Sequence, residues 1–418
     1  MPAVGTHAAP LTAAITESTR MDGLRRLQSF DNLRAILMWL GIVIHVAINH
    51  TTGPSALPWR DAHTTPFADL LLVFIHAFRM PVFFILAGYF VALLVARRGP
   101  KGMLKHRLRR LALPFVIFWP LLIVCTSVLM LVYLHLMAYG TVGIDPSLLA
   151  KKTKATSPFN TMHMWFIYYL IWFCVLTAAL APLASRLPTG LRSAADASFR
   201  ALASKWWGPL LLAIPLAVIG SFYRAGVLAA SGSFIPNLSE LVHNGLFFVF
   251  GLYLHRHQDV LFPVFMAKCW RNTIAGAVTF VLVLGAFKSF TDNPHGVAHI
   301  EALIAFLYNL TSWLWSMALM GLFLRYLPTQ NRVLRYVSES SYWVFLVHML
   351  GTIGFGILLY SQPFGPVTKM ALNILATTLA CVLSYQVLVR RTLIGVLLNG
   401  RRQPIAQPAS LPAAAESR

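Results

Sequence analysis

Arg34 and His45 stand eleven residues apart in "FDNLRAILMWLGIVIHVAINH", an otherwise apolar stretch from Phe30 to His50. On an α-helix eleven residues rise about 16 Å and leave a net rotation of only about 20°, so the two side chains share a face. Arg34, at the end of the run, can snorkel to lipid phosphates. His45 lies deeper, where a polar group faces the interior of a helix bundle. A histidine there suits general-base chemistry, because its unperturbed pKa lies near neutrality. The bland reading is a satisfied buried group.

Two further stretches repeat the pattern. In "DLLLVFIHAFRMPVFFILAGYF", Asp69, His76 and Arg79 are separated by seven and three residues, one helical stripe. Arg79 is too deep to snorkel and needs a carboxylate or a bound anion, so an ion pair with Asp69 is its structural reading. In "HRLRRLALPF", Arg107 and Arg110 share a face, and paired arginines bind phosphate in a fork that lysine does not match. Plain topological charge is the competing reading. Asn160, His163, Glu240, His243, Asn244, His299 and Glu301 add polar groups near the ends of apolar runs, and "SYWVFLVHML" carries Tyr342 and His348. We expect Asp69, His76, Arg79, Asn160, His163, Glu301, Tyr342 and His348 to outline a polar cavity towards the outer side, with the arginines below it.

The elements that must hold these residues are membrane helices. Of 418 residues 57% are hydrophobic and 11% charged, against about 25% charged in a soluble chain. The chain reads as an all-α polytopic membrane protein. Ten apolar runs are expected as spans, near 33–50, 68–96, 111–138, 162–183, 208–228, 239–256, 273–291, 300–324, 340–360 and 367–389. The connecting segments fix the expected orientation. Residues 97–110 hold seven Lys or Arg and no acid, and under a ten-span layout 26 of the 34 Lys and Arg fall on the side of both termini. The positive-inside rule makes that side cytoplasmic and accounts for the +21 net charge without nucleic acid. Lys151, Lys152 and Lys154 run against the trend.

Residues 1–30 and 399–418 read as disordered cytoplasmic tails around a single membrane domain at 31–398, with no signal peptide. The four cysteines show no CxxC spacing, and no residue is assigned to a metal.

Together "FDNLRA" with its histidine eleven residues after Arg34, "FIHAFRMPVFFILAGYF", Arg107-x-x-Arg110, "HMWFIYYL" and "SYWVFLVH" resemble the family 3 membrane acyltransferases, closest to the glucan-biosynthesis branch. The resemblance covers nearly the whole chain. It implies an O-acyltransferase of the bacterial inner membrane that takes an acyl group from cytoplasmic acyl-CoA and places it on a hydroxyl of an extracytoplasmic glycan. In that branch the acceptor is periplasmic glucan and the acyl group succinyl. It also implies that Arg34, Arg107 and Arg110 hold CoA phosphates and that His45 is the base. Acyl-CoA is then a co-substrate beside no resident cofactor, and the partners are the glycan, the bilayer and glucan-synthesis proteins.

The residues read alone leave rivals. A multi-span transporter of a small anionic or glycan-related solute fits the span count, although Asp69, Glu240 and Glu301 sit near helix ends, not the midplane. Paired histidines such as His45 and His76 fit a haem. The soluble HxxxxD acyltransferase motif is absent, since none of the fourteen histidines has Asp five residues on.

Overall fold

The computed structural model describes residues 8–53, 57–148, 160–294 and 296–399, with the backbone alone for 8–22 and 24. Twelve α-helices and no strands occur among the described residues. They are α1 (Ala8–Ala47), α2 (Pro66–Arg107), α3 (Leu113–Tyr139), α4 (Trp165–Arg186), α5 (Thr189–Ser204), α6 (Gly208–Gly220), α7 (Leu238–Arg256), α8 (Gln258–Asp292), α9 (Ile300–Tyr326), α10 (Arg332–Tyr360), α11 (Pro366–Ser384) and α12 (Leu393–Asn399).

Local chemistry sets the boundaries. Thr65 caps α2 by accepting from Phe67 N, with Pro66 at the first position, where its missing N–H costs nothing. Gly99 breaks α2 with φ 69°, a conformation open to glycine, ahead of Pro100. Asn237 caps α7 by accepting from Ser239 N, and Gly140 ends α3 in the left-handed region. A π turn at Leu108–Ala112 joins α2 to α3 and carries Arg109 and Arg110.

Seven continuous helical runs among the described residues are long and apolar enough to cross a bilayer, or eight if the bent pair α5–α6 makes one span. Nine of the ten expected runs lie in helical segments, and the tenth, 208–228, is an α-helix only as far as Gly220. However, α6 has 13 residues and bends 101° from α5, and α7 falls outside the seven. The run Pro66–Tyr139 holds two expected spans in 74 residues. The amphipathic α5 and the short α12 were not expected as helices.

The N-terminal reading changes too. Helix α1 starts at Ala8, where a disordered tail over 1–30 was expected. Ala, Leu, Glu and Arg are strong helix formers, and no proline follows Pro10 in the helix to stop it. Residues 1–7 and 400–418 lie outside the described residues, as do Lys151, Lys152 and Lys154.

Helix α9 is the most buried span, followed by α1 and α10, while α3, α8 and α11 present Val116, Leu121, Val281, Leu375 and Leu383 outward. Such a surface is stable only against lipid. Close helix crossings replace hydrophobic collapse as the packing device. A Cβ on Gly88 would lie 2.0 Å from Phe248 O, and one on Gly251 2.0 Å from Ile85 O, so glycines on both helices let α2 and α7 touch backbone to backbone.

The loop between α1 and α2 is tied down by a buried ion pair that the sequence did not reveal. Lys369 Nζ, on α11, reaches both carboxylate oxygens of Asp61 at 3.2 Å and donates to Tyr360 O at 2.7 Å. Asp61 N in turn donates to Asn49 O.

Candidate active site

Four helices carry the candidate side chains. On α1 the stripe Arg34, Met38, Gly41, His45 advances by four, three and four residues, the repeat that keeps side chains on one helix face. Helix α2 runs the opposite way and presents Phe90, Phe83, Arg79 and then His76. Helix α4 supplies Leu170, Ile167, Phe166, with His163 in the 3₁₀ turn before it, and α10 runs from Tyr342 through Phe345 to His348.

At one end Arg34, Arg107 and Arg110 line a single cavity of about 520 Å³ whose wall includes Met38, Phe83 and Phe166. That volume lies within the roughly 300–1,000 Å³ of ligand pockets, and its mix of apolar wall and cationic mouth suits an anionic head on a long arm. The three arginines are held differently. Arg34 pairs with Asp31 at 3.0 Å and lies over the Phe90 ring. Arg110 donates to Leu398 O at 2.7 Å and Asn399 O at 2.9 Å, capping α12. Arg107 buries an Nε with no hydrogen-bond partner among the described residues. Tyr342, expected in the outer cavity, lines this lower one and donates to Arg110 O at 3.1 Å.

At the upper end three imidazoles meet. The ring centroids of His45 and His348 are 5.1 Å apart, and those of His163 and His348 5.3 Å. His348 Nδ1 contacts Val344 O at 2.9 Å and Phe345 O at 2.8 Å. A carbonyl only accepts, so Nδ1 carries the proton and Nε2 keeps a bare lone pair. That Nε2 is buried with no partner among the described residues. His163 is fixed in the other tautomer, since Nε2 donates to Leu346 O at 3.2 Å and leaves Nδ1 bare and buried. His45 makes no hydrogen bond among the described residues and is only half-buried. No three His, Cys, Asp or Glu among the described residues converge as metal ligands do.

Arg79 lies one helical turn below. Its Nε donates to Leu37 O at 2.9 Å and its guanidinium stands 5.6 Å from the Phe83 ring centroid. It has no ion pair among the described residues. Asp69, the expected partner, instead accepts from Thr52 N at 2.9 Å and Thr52 Oγ1 at 2.6 Å, since a carboxylate in the first turn of a helix finds local donors first.

The other expected cavity residues scatter. His76 contacts Tyr308 OH at 3.0 Å and faces a small polar pocket of about 40 Å³ shared with Glu240, His243, Asn309 and Trp165. Asn160 accepts from Met162 N, and Glu301 accepts from Ala225 N, both as loop and helix-end contacts away from the imidazoles. Sequence reasoning did not single out Tyr308 or Asn309, because a Tyr or Asn in an apolar run reads as ordinary packing. Gly41 also passed unnoticed, although it is what lets Arg79 and His348 approach α1.

Residues 27–386 match the family described as "Acyltransferase domain". The chain is 24% identical over 385 residues to "Glucans biosynthesis protein C" of Escherichia coli, covering 89% of this chain and 94% of that protein. It is 25% identical over 383 residues to the protein of the same name in Salmonella heidelberg, covering 90% and 95%. No solved structure matches the chain.

Proposed function

The chain belongs to the acyltransferase family and is a multi-pass membrane enzyme, and on that premise we propose that it moves an acyl group from cytoplasmic acyl-CoA to a hydroxyl of a periplasmic glucan. The observation that carries this reading is that one face of α1 bears Arg34 in a cavity shared with Arg107 and Arg110 and, eleven residues on, His45 packed against His348. CoA phosphates take the arginines, and Arg107 lines the cavity with its Nε unpartnered among the described residues. The thin arm of CoA rises between Met38, Phe83 and Phe166, bringing the thioester towards His45.

The acceptor hydroxyl is a poor nucleophile at neutral pH and needs a base. His45 takes its proton as the hydroxyl oxygen bonds to the thioester carbon. The carbonyl π electrons move onto oxygen, and on collapse the C–S bond breaks. The departing sulfur recovers the proton from His45, so the products are an ester and the free CoA thiol. His348 orients the base: with Nδ1 committed to backbone, its Nε2 is an acceptor ready for a His45 ring N–H. It does for His45 what a carboxylate does in other base pairs.

In this reading the donor side, with both termini, is cytoplasmic and the membrane is the bacterial inner membrane. The dicarboxylic acyl group that the resemblance implies, succinyl, is compatible with the arginine-rich path, and acetyl remains the simpler donor to assay first. The test is purified protein in lipid discs, given acyl-CoA on one side and glucan oligosaccharides on the other. Mass spectrometry should show an added acyl mass that depends on both substrates. A product formed without acyl-CoA, or none with it, overturns the proposal.

A further inference from the structure

We propose that Arg79 is the electrostatic catalyst of the transfer, holding the oxyanion that forms on the thioester carbonyl oxygen. This rests on the acyl transfer proposed above. Arg79 is 7% exposed, yet it has no carboxylate partner among the described residues, and a charge left so in a membrane interior is expensive unless an anion visits it. One donor is spent on anchoring: Nε bonds the Leu37 carbonyl of α1. Nη2 points at the Gly41 backbone, where a Cβ would lie 2.7 Å from it and 3.6 Å from His348 Nε2. Glycine at 41 therefore lets the guanidinium rest against the α1 backbone and brings it and the His348 nitrogen to one point on that helix.

The distances suit the chemistry. His45 is four residues beyond Gly41, a rise of about 6 Å, on the same helix face. A base about 3 Å from the attacking oxygen and an oxyanion donor about 3 Å from the carbonyl oxygen lie roughly 6–8 Å apart across a tetrahedral carbon. The order along the path is also right. The guanidinium lies on the donor side, next to the Phe83 wall of the arginine cavity, and His45 lies on the acceptor side. The thioester arriving from below meets Arg79 first and the hydroxyl from above meets His45. As the C–O bond forms, the carbonyl electron pair moves to oxygen beside Nη2; as C–S breaks, the pair returns and the charge leaves Arg79 unchanged.

Four variants test it, each assayed for kcat, for KM of the acyl-CoA and for thermal stability, using acetyl-CoA and succinyl-CoA as donors. Arg79→Gln should lower kcat by on the order of 10²–10³-fold with both donors while KM moves little. Arg79→Lys should recover part of kcat. Gly41→Ala keeps the charge but displaces the flexible end of the guanidinium, and should lower kcat with stability near that of the parent protein. Arg79→Met tests folding: an arginine needed only for packing would be replaced without loss of kcat. Unchanged kcat in Arg79→Gln or Arg79→Met overturns the proposal. So does a raised KM for succinyl-CoA alone with kcat intact, which would make Arg79 a site for the acyl carboxylate. If the parent protein transfers no acyl group from either donor, it is the proposed function that fails, a separable outcome.

Discussion

The three arginines of the lower cavity carry the same charge but unequal duties. Arg107 has a buried Nε without a partner among the described residues, so Arg107→Ala should weaken acyl-CoA binding by about tenfold to a hundredfold, one charge-assisted contact of roughly 1.5–3 kcal/mol, and leave thermal stability nearly unchanged. Arg110 caps α12 through Leu398 O and Asn399 O, so Arg110→Ala should lower thermal stability as well as affinity. Calorimetry with a CoA thioester beside a thermal melt separates the two; equal behaviour would contradict these assignments. At this scale the sequence was legible where a residue type was anomalous in its surroundings. A histidine and an arginine in apolar helices declare themselves, and His45, His163, Arg79 and His348 do meet. Position was less legible where several local donors compete for one carboxylate. Asp69 shares a stripe with Arg79, but the nearby Thr52 donors claim it.

Elements were legible through hydropathy and poorly so through contacts between distant segments. The apolar runs form helix, save the end of 208–228 beyond Gly220, because backbone groups in lipid have no other partner. The buried pair of Lys369 and Asp61 spans 308 residues of sequence, and a lone lysine near the start of α11 gives no sign of its partner. Removing one member strands the other charge in a dry site. Lys369→Met should therefore cost about 3–5 kcal/mol, and Asp61→Leu with Lys369→Met should recover most of it. Denaturation melts of the three proteins in one detergent decide this. Additive losses in the double variant would mean that the two residues act independently.

For the whole molecule we propose a direction. In the expected ten-span layout 26 of 34 Lys and Arg fall on one side, and the positive-inside rule predicts both termini there, in the cytoplasm. A reporter fused after Arg418 should be active only as a cytoplasmic fusion, and a periplasmic signal would reverse donor and acceptor sides. The central claim, however, is that one path joins a donor-binding end to a proton-accepting end about 16 Å away along α1. Its most direct measurement is acyl-CoA binding and glucan acylation on the same purified His45→Ala protein, with Arg107→Ala alongside. His45→Ala should bind acyl-CoA like the parent protein and transfer about 10²–10⁴-fold more slowly, while Arg107→Ala binds weakly and regains rate at high donor concentration. A folded His45→Ala protein that acylates glucan at close to the parent rate would contradict the account.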